Sequence, residues 1–275
     1  MARASLELAI VHDVFWGDGA DRRLADRLTE ARRLGAELAV LPELPLDPWV
    51  PATRAVCEAD AEPPDGPRMR RLAAAAKTCG IAVLGGAIVR DRASGTRRNR
   101  ALLVDAGGQL VATYDKLHVP AENGYWESDH YVPGEEPPRP IEALGLPLGV
   151  QICSDLQRPE GAHLLGAAGA LVILAPRATP PASYDRWRTV IRANAITSCT
   201  YVVSVNRPRP EGGVPIGGPS IAVAPSGEVL VETSEPVTRV SVERAVVETA
   251  RGDYPGYLAV RAELYSRAWR DVGQG

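Results

Sequence analysis

A carboxylate, an amine and a thiol stand at comparable places in this chain, each at or just past the end of an apolar run. Glu43 closes LAVLPE, Lys116 follows LVATYD, and Cys153 ends LPLGVQIC. Together they supply a general base, a cation for a developing oxyanion and a nucleophile, which suffices for acyl transfer through a thioester. Taken singly, each has a plain structural explanation. A cysteine at a strand end is more often a small core residue than a nucleophile, a glutamate after a strand commonly faces water, and a lysine can be a surface charge. Lys116 stands out because only it and Lys77 are lysines among the 31 basic residues. Arginine is the default cation of this chain, so a compact ammonium at 116 calls for a reason.

The elements that must position these residues alternate. Apolar runs at 6–12, 37–43, 81–89, 146–152, 170–175 and 200–205 read as strands. Helices are expected over about 20–34, where Leu24, Leu28, Ala31 and Leu34 keep helical spacing, and over about 67–79, 159–168 and 183–198. Two hairpins are expected, one turning at Ala106-Gly107-Gly108 and one over 220–232 turning at Pro225-Ser226-Gly227. Residues 115–140 carry five prolines and two glycines and read as a long functional loop. The last thirty residues, with Tyr254, Pro255, Tyr257, Tyr265 and Trp269, read as an aromatic tail. The pattern is that of an α/β fold with parallel and antiparallel pairs, forming a single domain over 1–275. In open α/β sheets, binding crevices lie at the carboxyl ends of strands, so the three reactive residues can converge there.

Composition excludes several classes. With 275 residues, 45% hydrophobic and 24% charged, the chain is long enough for one large core and has ordinary globular usage. A net charge of −3 gives no basic excess for nucleic acid. No apolar run approaches bilayer length, and MARASLELAI lacks signal-peptide anatomy, so a cytoplasmic protein is expected. Cysteines at 57, 79, 153 and 199 are too dispersed for a zinc knuckle and too few for a disulfide scaffold; Cys57, Cys79 and Cys199 read as packing residues. His118 and His130 lie near Glu127 and Asp129 but without HxxxH spacing, so hydrogen bonding within the loop is the expectation, not a metal. The glycines at 17–19 and 85–86 do not complete GxGxxG, and no nucleotide cofactor is expected.

LAVLPEL, YDKLHV and GVQICSDLQRPE are similar to the three signature segments of the nitrilase, or carbon–nitrogen hydrolase, superfamily, in its order and approximate spacing. YWESDHYVPGE (125–135) resembles the segment bearing that family's second glutamate, and GALVILAP, YVVSVNR and GGPSIAVAPSGEVL resemble its later strands. The resemblance runs from about 6 to 260. It implies a four-layer α-β-β-α sandwich of two mixed sheets, assembled as a homodimer or higher homo-oligomer, with the tail 250–275 reaching the partner subunit. It also implies roles: Cys153 as nucleophile, Glu43 as base, Lys116 and the Ser154 backbone N–H as oxyanion donors, and Glu127 orienting Lys116 or the substrate. No metal or cofactor is called for.

Departures from the family pattern narrow the branch. Cys153-Ser154-Asp155 resembles the amidase and carbamoylase branches, whereas nitrile hydrolysers usually show Cys-Trp-Glu. The paired arginines of the carbamoyl-amino-acid hydrolases are replaced by Leu156 and Gln157, leaving Arg158, Arg177 and Trp126 as candidate substrate contacts. His12 stands where many members have glutamine, and Asn194-Ala195-Ile196-Thr197-Ser198 lacks a usual glutamate. The expected activity is hydrolysis of a small-molecule carboxamide or N-carbamoyl amine. Acyl transfer from the same site and a catalytically silent binding protein are the rivals.

Overall fold

The computed structural model describes residues 3–253, 258 and 261–273. In chain order the elements are β1 (Ser5–Val11), α1 (Ala20–Arg33), β2 (Leu38–Val40), β3 (Ala61–Glu62), α2 (Pro67–Cys79), β4 (Ala82–Arg90), β5 (Arg97–Val104), β6 (Leu110–Asp115) and α3 (Glu127–His130). There follow β7 (Ile141–Ala143), β8 (Leu146–Val150), α4 (Pro159–Ala167), β9 (Val172–Arg177), α5 (Tyr184–Ser198), β10 (Tyr201–Asn206), β11 (Ser220–Val223), β12 (Val229–Thr233), β13 (Val237–Glu243), α6 (Arg244–Asp253) and α7 (Ala262–Val272).

These strands make two mixed sheets. One runs β13-β1-β2-β4-β5-β6 with β3 added to β4, and the other β12-β11-β10-β9-β8-β7. Strands buried on both faces need no polar alternation, which explains the continuous apolar runs. Leu6, Leu8 and Ile10 of β1 enter the core between the sheets, with Leu148, Val150, Leu174 and Val203. The alternate residues Ala9 and Val11 pack with Leu24, Leu28 and Ala31 of α1 and Leu72 and Ala76 of α2. On the far side Ala162 and Leu165 of α4 and Ile191 and Ala195 of α5 join the inter-sheet core. The result is the four-layer α-β-β-α sandwich. The two outer helices on that side approach so closely that a Cβ on Gly166 would lie 2.1 Å from the Ser198 carbonyl oxygen.

Several sequence expectations require correction. The strand expected over 37–43 pairs only through Leu38–Val40, so Glu43 stands three residues past the ladder, beyond which Leu44 turns at φ 46°. The strand expected over 146–152 ends at Val150. β13 closes antiparallel onto β1 although its neighbour β12 lies in the other sheet. Ahead of the segment 250–275, α6 packs Val247 into the core, and within it Tyr265 and Trp269 lie on α7. Tyr254, Pro255 and Tyr257 lie outside the described residues. Cys57 is exposed and Cys79 half-buried, so of the three cysteines read as packing residues only Cys199 is buried.

His12 follows β1 and ties the two sheets. Its backbone N–H donates to Pro236 O (3.0 Å) and its Nδ1 lies 2.8 Å from Ser220 Oγ. Burial, with the Arg177 charge adding, lowers its pKa to about 4. The folded chain therefore favours neutral imidazole, and this contribution is present above pH 6.5 and lost as pH falls towards 4. From pH 7 to pH 4 the loss is about 3 kcal/mol. Urea unfolding of His12→Gln is expected to lack this slope, and parallel pH dependences in the two proteins would disprove it.

Candidate active site

Cys153 follows the end of β8 and opens a 3-10 turn, Cys153–Gln157, at φ 47°. A non-glycine residue in the left-handed region is strained and needs surrounding structure to hold it. Asp155 provides much of that hold. Its Oδ2 accepts Ile152 N–H (3.0 Å) and Tyr114 O–H (2.8 Å). Its Oδ1 accepts the N–H groups of Leu117 (3.1 Å) and His118 (2.9 Å) and lies 3.0 Å from His118 Nδ1. One buried carboxylate thus joins the cysteine turn to the segment that carries Lys116. Ser154 Oγ donates to His118 O, and Asn194 Nδ2 of α5 donates to Leu156 O at 2.8 Å.

Lys116 immediately follows β6, its N–H bonded to Asn99 O (2.9 Å). Its side chain is fully buried, as are those of Glu43 and Glu127. Nζ donates to Glu43 Oε1 at 2.7 Å and also to Glu127 Oε2. Asn99 Nδ2 of β5 donates to Glu43 Oε1 at 2.8 Å and to Tyr131 Oη at 3.2 Å, while Tyr131 O–H donates to Glu127 Oε2. One oxygen of each carboxylate is occupied by this lattice. Glu43 Oε2, Glu127 Oε1 and the Tyr125 hydroxyl are buried without a partner among the described residues.

Two buried carboxylates around one ammonium define the electrostatics. Burial opposes the charge of Lys116, but Glu127 and Glu43 outweigh it and hold the amine protonated. Burial and the neighbouring Glu43 push the Glu127 carboxyl up, against the pull of Lys116. Burial, then the charge of Glu43, pushes the Cys153 thiol well up despite Lys116. The resting sulfur is a thiol, so it becomes nucleophilic only as its proton leaves for an adjacent base. Its one hydrogen-bond acceptor among the described residues is Ala178 O, at 4.0 Å.

Glu43, Lys116, Glu127 and Cys153 therefore share one buried site. The other candidates are placed differently. Arg158 is exposed at the start of α4. Trp126 is half-buried with the Arg54 guanidinium 3.8 Å over its ring. Arg177 is fully buried, and its nitrogens donate to Ser204 Oγ (3.0 Å), Thr179 Oγ1 and Pro219 O, with no carboxylate partner among the described residues. His130 Nε2 lies 2.7 Å from Thr53 O. Asn99, Tyr131, Tyr125 and the bridging role of Asp155 have no signature in the sequence. Asn99 meets Glu43 across 56 residues and Tyr131 across 32, and Asp155 meets His118 across 37, contacts that only the fold brings together.

Comparison with known proteins adds independent findings. The model of the carbon–nitrogen hydrolase family matches residues 22–251. A hydrolase encoded in the pqqF 5′ region of Pseudomonas protegens is 37% identical over 84% of this chain and 80% of its own length. The deaminated glutathione amidase of Rattus norvegicus is 30% identical over 88% of this chain and 77% of its own. A variant of the amidase from Nesterenkonia sp. AN1 superposes with a TM-score of 0.77 at 25% identity, covering 97% of this chain and 98% of that one. That structure shows covalent addition of the acetamide moiety of fluoroacetamide at the active-site cysteine.

Proposed function

The chain belongs to the carbon–nitrogen hydrolase family, and from that membership we propose that it hydrolyses a small-molecule carboxamide or N-carbamoyl amine through Cys153. The observation that carries this reading is the Lys116 ammonium held between Glu43 and Glu127 in the burial shared with Cys153. Glu43, through its free Oε2, takes the thiol proton as Sγ attacks the carbonyl carbon. Lys116 and the Ser154 N–H, in the first turn of the 3-10 segment where no intrahelical acceptor is required, receive the oxyanion. Collapse of the adduct breaks the C–N bond, and the protonated Glu43 returns its proton to the leaving nitrogen. Glu43 then deprotonates a water that attacks the thioester, releasing the acid and restoring the thiol. Glu127 keeps Lys116 in place throughout. An amidase among the relatives and an amidase with cysteine adduct among the structures support this class of chemistry.

Ammonia release from ω-amides, N-carbamoyl amines, N-carbamoyl amino acids and simple nitriles is the direct test. Turnover of at least one amide or carbamoyl compound, with nitriles inert, is expected. Ammonia release that requires an added amine acceptor would identify a transferase instead, and turnover of nitriles alone would overturn the amidase assignment.

The reading extends to assembly and place. Leu264, Tyr265, Trp269 and Val272 lie exposed on α7, and Tyr265, Trp269 and Val272 fall at helical spacing on one stripe. A second copy of the chain is the occupant that family membership supports. Light scattering is expected to give a dimer or larger, and deletion of 258–275 to lower the number of chains per particle. An unchanged number would show that α7 lies outside the interface. Four free cysteines fit the reducing cytoplasm, and among the described residues no helix is long and apolar enough to cross a membrane.

A further inference from the structure

A second buried ion pair lies beside the site, and its donors are directed at the backbone that carries Glu43. Arg207, just past β10, is fully buried and pairs with Glu211, Nε to Oε1 at 3.0 Å and Nη2 to Oε2 at 2.6 Å. Nη1 donates to Glu43 O at 2.9 Å and Leu44 O at 2.7 Å, and Nη2 to Asp47 O at 2.8 Å. A guanidinium has five N–H donors, and here each has an acceptor. The segment it grips is the one that needs gripping, because Leu44 stands at φ 46° directly after Glu43.

The pair also reaches the other carboxylate. Glu211 Oε2 accepts Trp49 N–H at 3.1 Å, and the Trp49 indole donates to Gly124 O at 2.9 Å. The same indole meets the Tyr125 ring edge-on, with centroids 5.7 Å apart. Glu43 on one side of Lys116 and the 124–127 segment on the other are thus fixed to one ion pair from the opposite sheet. A buried ion pair is weak evidence of stabilisation, since apolar replacements of similar shape are often neutral. Geometric control is the stronger explanation for three hydrogen bonds from one guanidinium to one turn.

We propose that Arg207 and Glu211 are positioning residues that set the Glu43 carboxylate against Cys153 and Lys116. The proposal rests on the hydrolase reading only in taking Glu43 as the base. Lysine at 207 keeps the charge but offers three donors from a single point and loses the fork.

The test measures alkylation of Cys153 by iodoacetamide, which needs no substrate, beside kcat and KM for any amide the chain turns over. In Arg207→Lys, alkylation and kcat are expected to fall about 100-fold, the scale of an ångström-sized misplacement, with KM within about 3-fold. In a Glu43→Gln background the same change is expected to have no further effect on alkylation, because the group it positions is gone. Equal fractional losses in both backgrounds, or parent-like rates in Arg207→Lys, would overturn the proposal. Should Arg207→Lys not fold, Glu211→Gln, which keeps the shape and leaves the three carbonyl contacts, carries the same comparison. A parent chain that hydrolyses nothing, yet whose Cys153 alkylation depends on Arg207 and Glu43 together, would sink the hydrolase reading and leave the positioning pair standing.

Discussion

Replacing Cys153 with alanine is expected to abolish amide turnover, by about 10⁵-fold or more, because the thioester route has no substitute nucleophile. The other thiols are in the wrong places: Cys57 is exposed, Cys79 half-buried, and Cys199 lies at the end of α5 with its Sγ directed to Ile196 O and Ala250 O. The fold is expected to survive, since the substitution deletes one atom from a turn held by Asp155, Asn194 and Ser154. Alanine still occupies φ 47°, so Cys153→Gly is expected to be equally inactive but more stable than Cys153→Ala by about 1 kcal/mol, the strain that glycine does not feel. Ammonia release and thermal unfolding of the three proteins read both effects. Residual turnover near that of the parent in Cys153→Ala would move the chemistry to another residue, and a less stable glycine variant would show the turn to be unstrained.

Glu43, Lys116 and Cys153 each follow an apolar run, so strand ends can bring them together, whereas Glu127 and the roles of all four rest on the family resemblance. β1 and β4 were legible in the sequence as runs apolar on both faces. What was not legible depends on contacts between segments distant in the chain. Asn99 sits among arginines in RRNRALLV, and nothing local marks it as the donor to Glu43. Asp155 was informative only as the residue two after the cysteine, although it anchors the Lys116 segment across 37 and 38 residues. Arg207 and Glu211 are four apart, a spacing common to many surface pairs, and only their burial against Glu43 O and Leu44 O gives it meaning. β13 escaped notice because VTRVSVE places polar residues on its outer face and its partner β1 is at the other end of the chain. Arg177 ran against both ordinary expectations: it is neither solvated nor ion-paired, and neutral acceptors hold it.

Lys116 is where chemistry and stability are hardest to separate, and changes there are expected to damage both. In Lys116→Met, two fully buried carboxylates lose their shared cation. Breaking a buried pair from one side destabilises by about 3–5 kcal/mol, and losing the oxyanion cation lowers kcat by about 10³-fold. The pH dependence distinguishes this cause from poor packing. In the parent chain the lysine pKa is raised above its ordinary value, so its contribution is present below pH 10.5 and lost only as pH rises further. In the variant the Glu127 carboxyl, pushed up by burial, loses the ammonium that opposes that push, so the deficit is larger at pH 8 and narrows as pH falls towards 5. Urea unfolding at pH 5 and pH 8 is expected to show that convergence, and a deficit independent of pH would refute the electrostatic account. Lys116→Arg restores the charge but forces a larger planar group into a site with no exposed surface. Overpacking of this kind destabilises by about 1–3 kcal/mol, and the fork cannot place a single nitrogen between Glu43 Oε1 and Glu127 Oε2 as the ammonium does. An arginine variant with parent-like turnover would show that charge alone is needed at 116. The scarcity of lysine in a chain of 31 basic residues would then have no catalytic explanation.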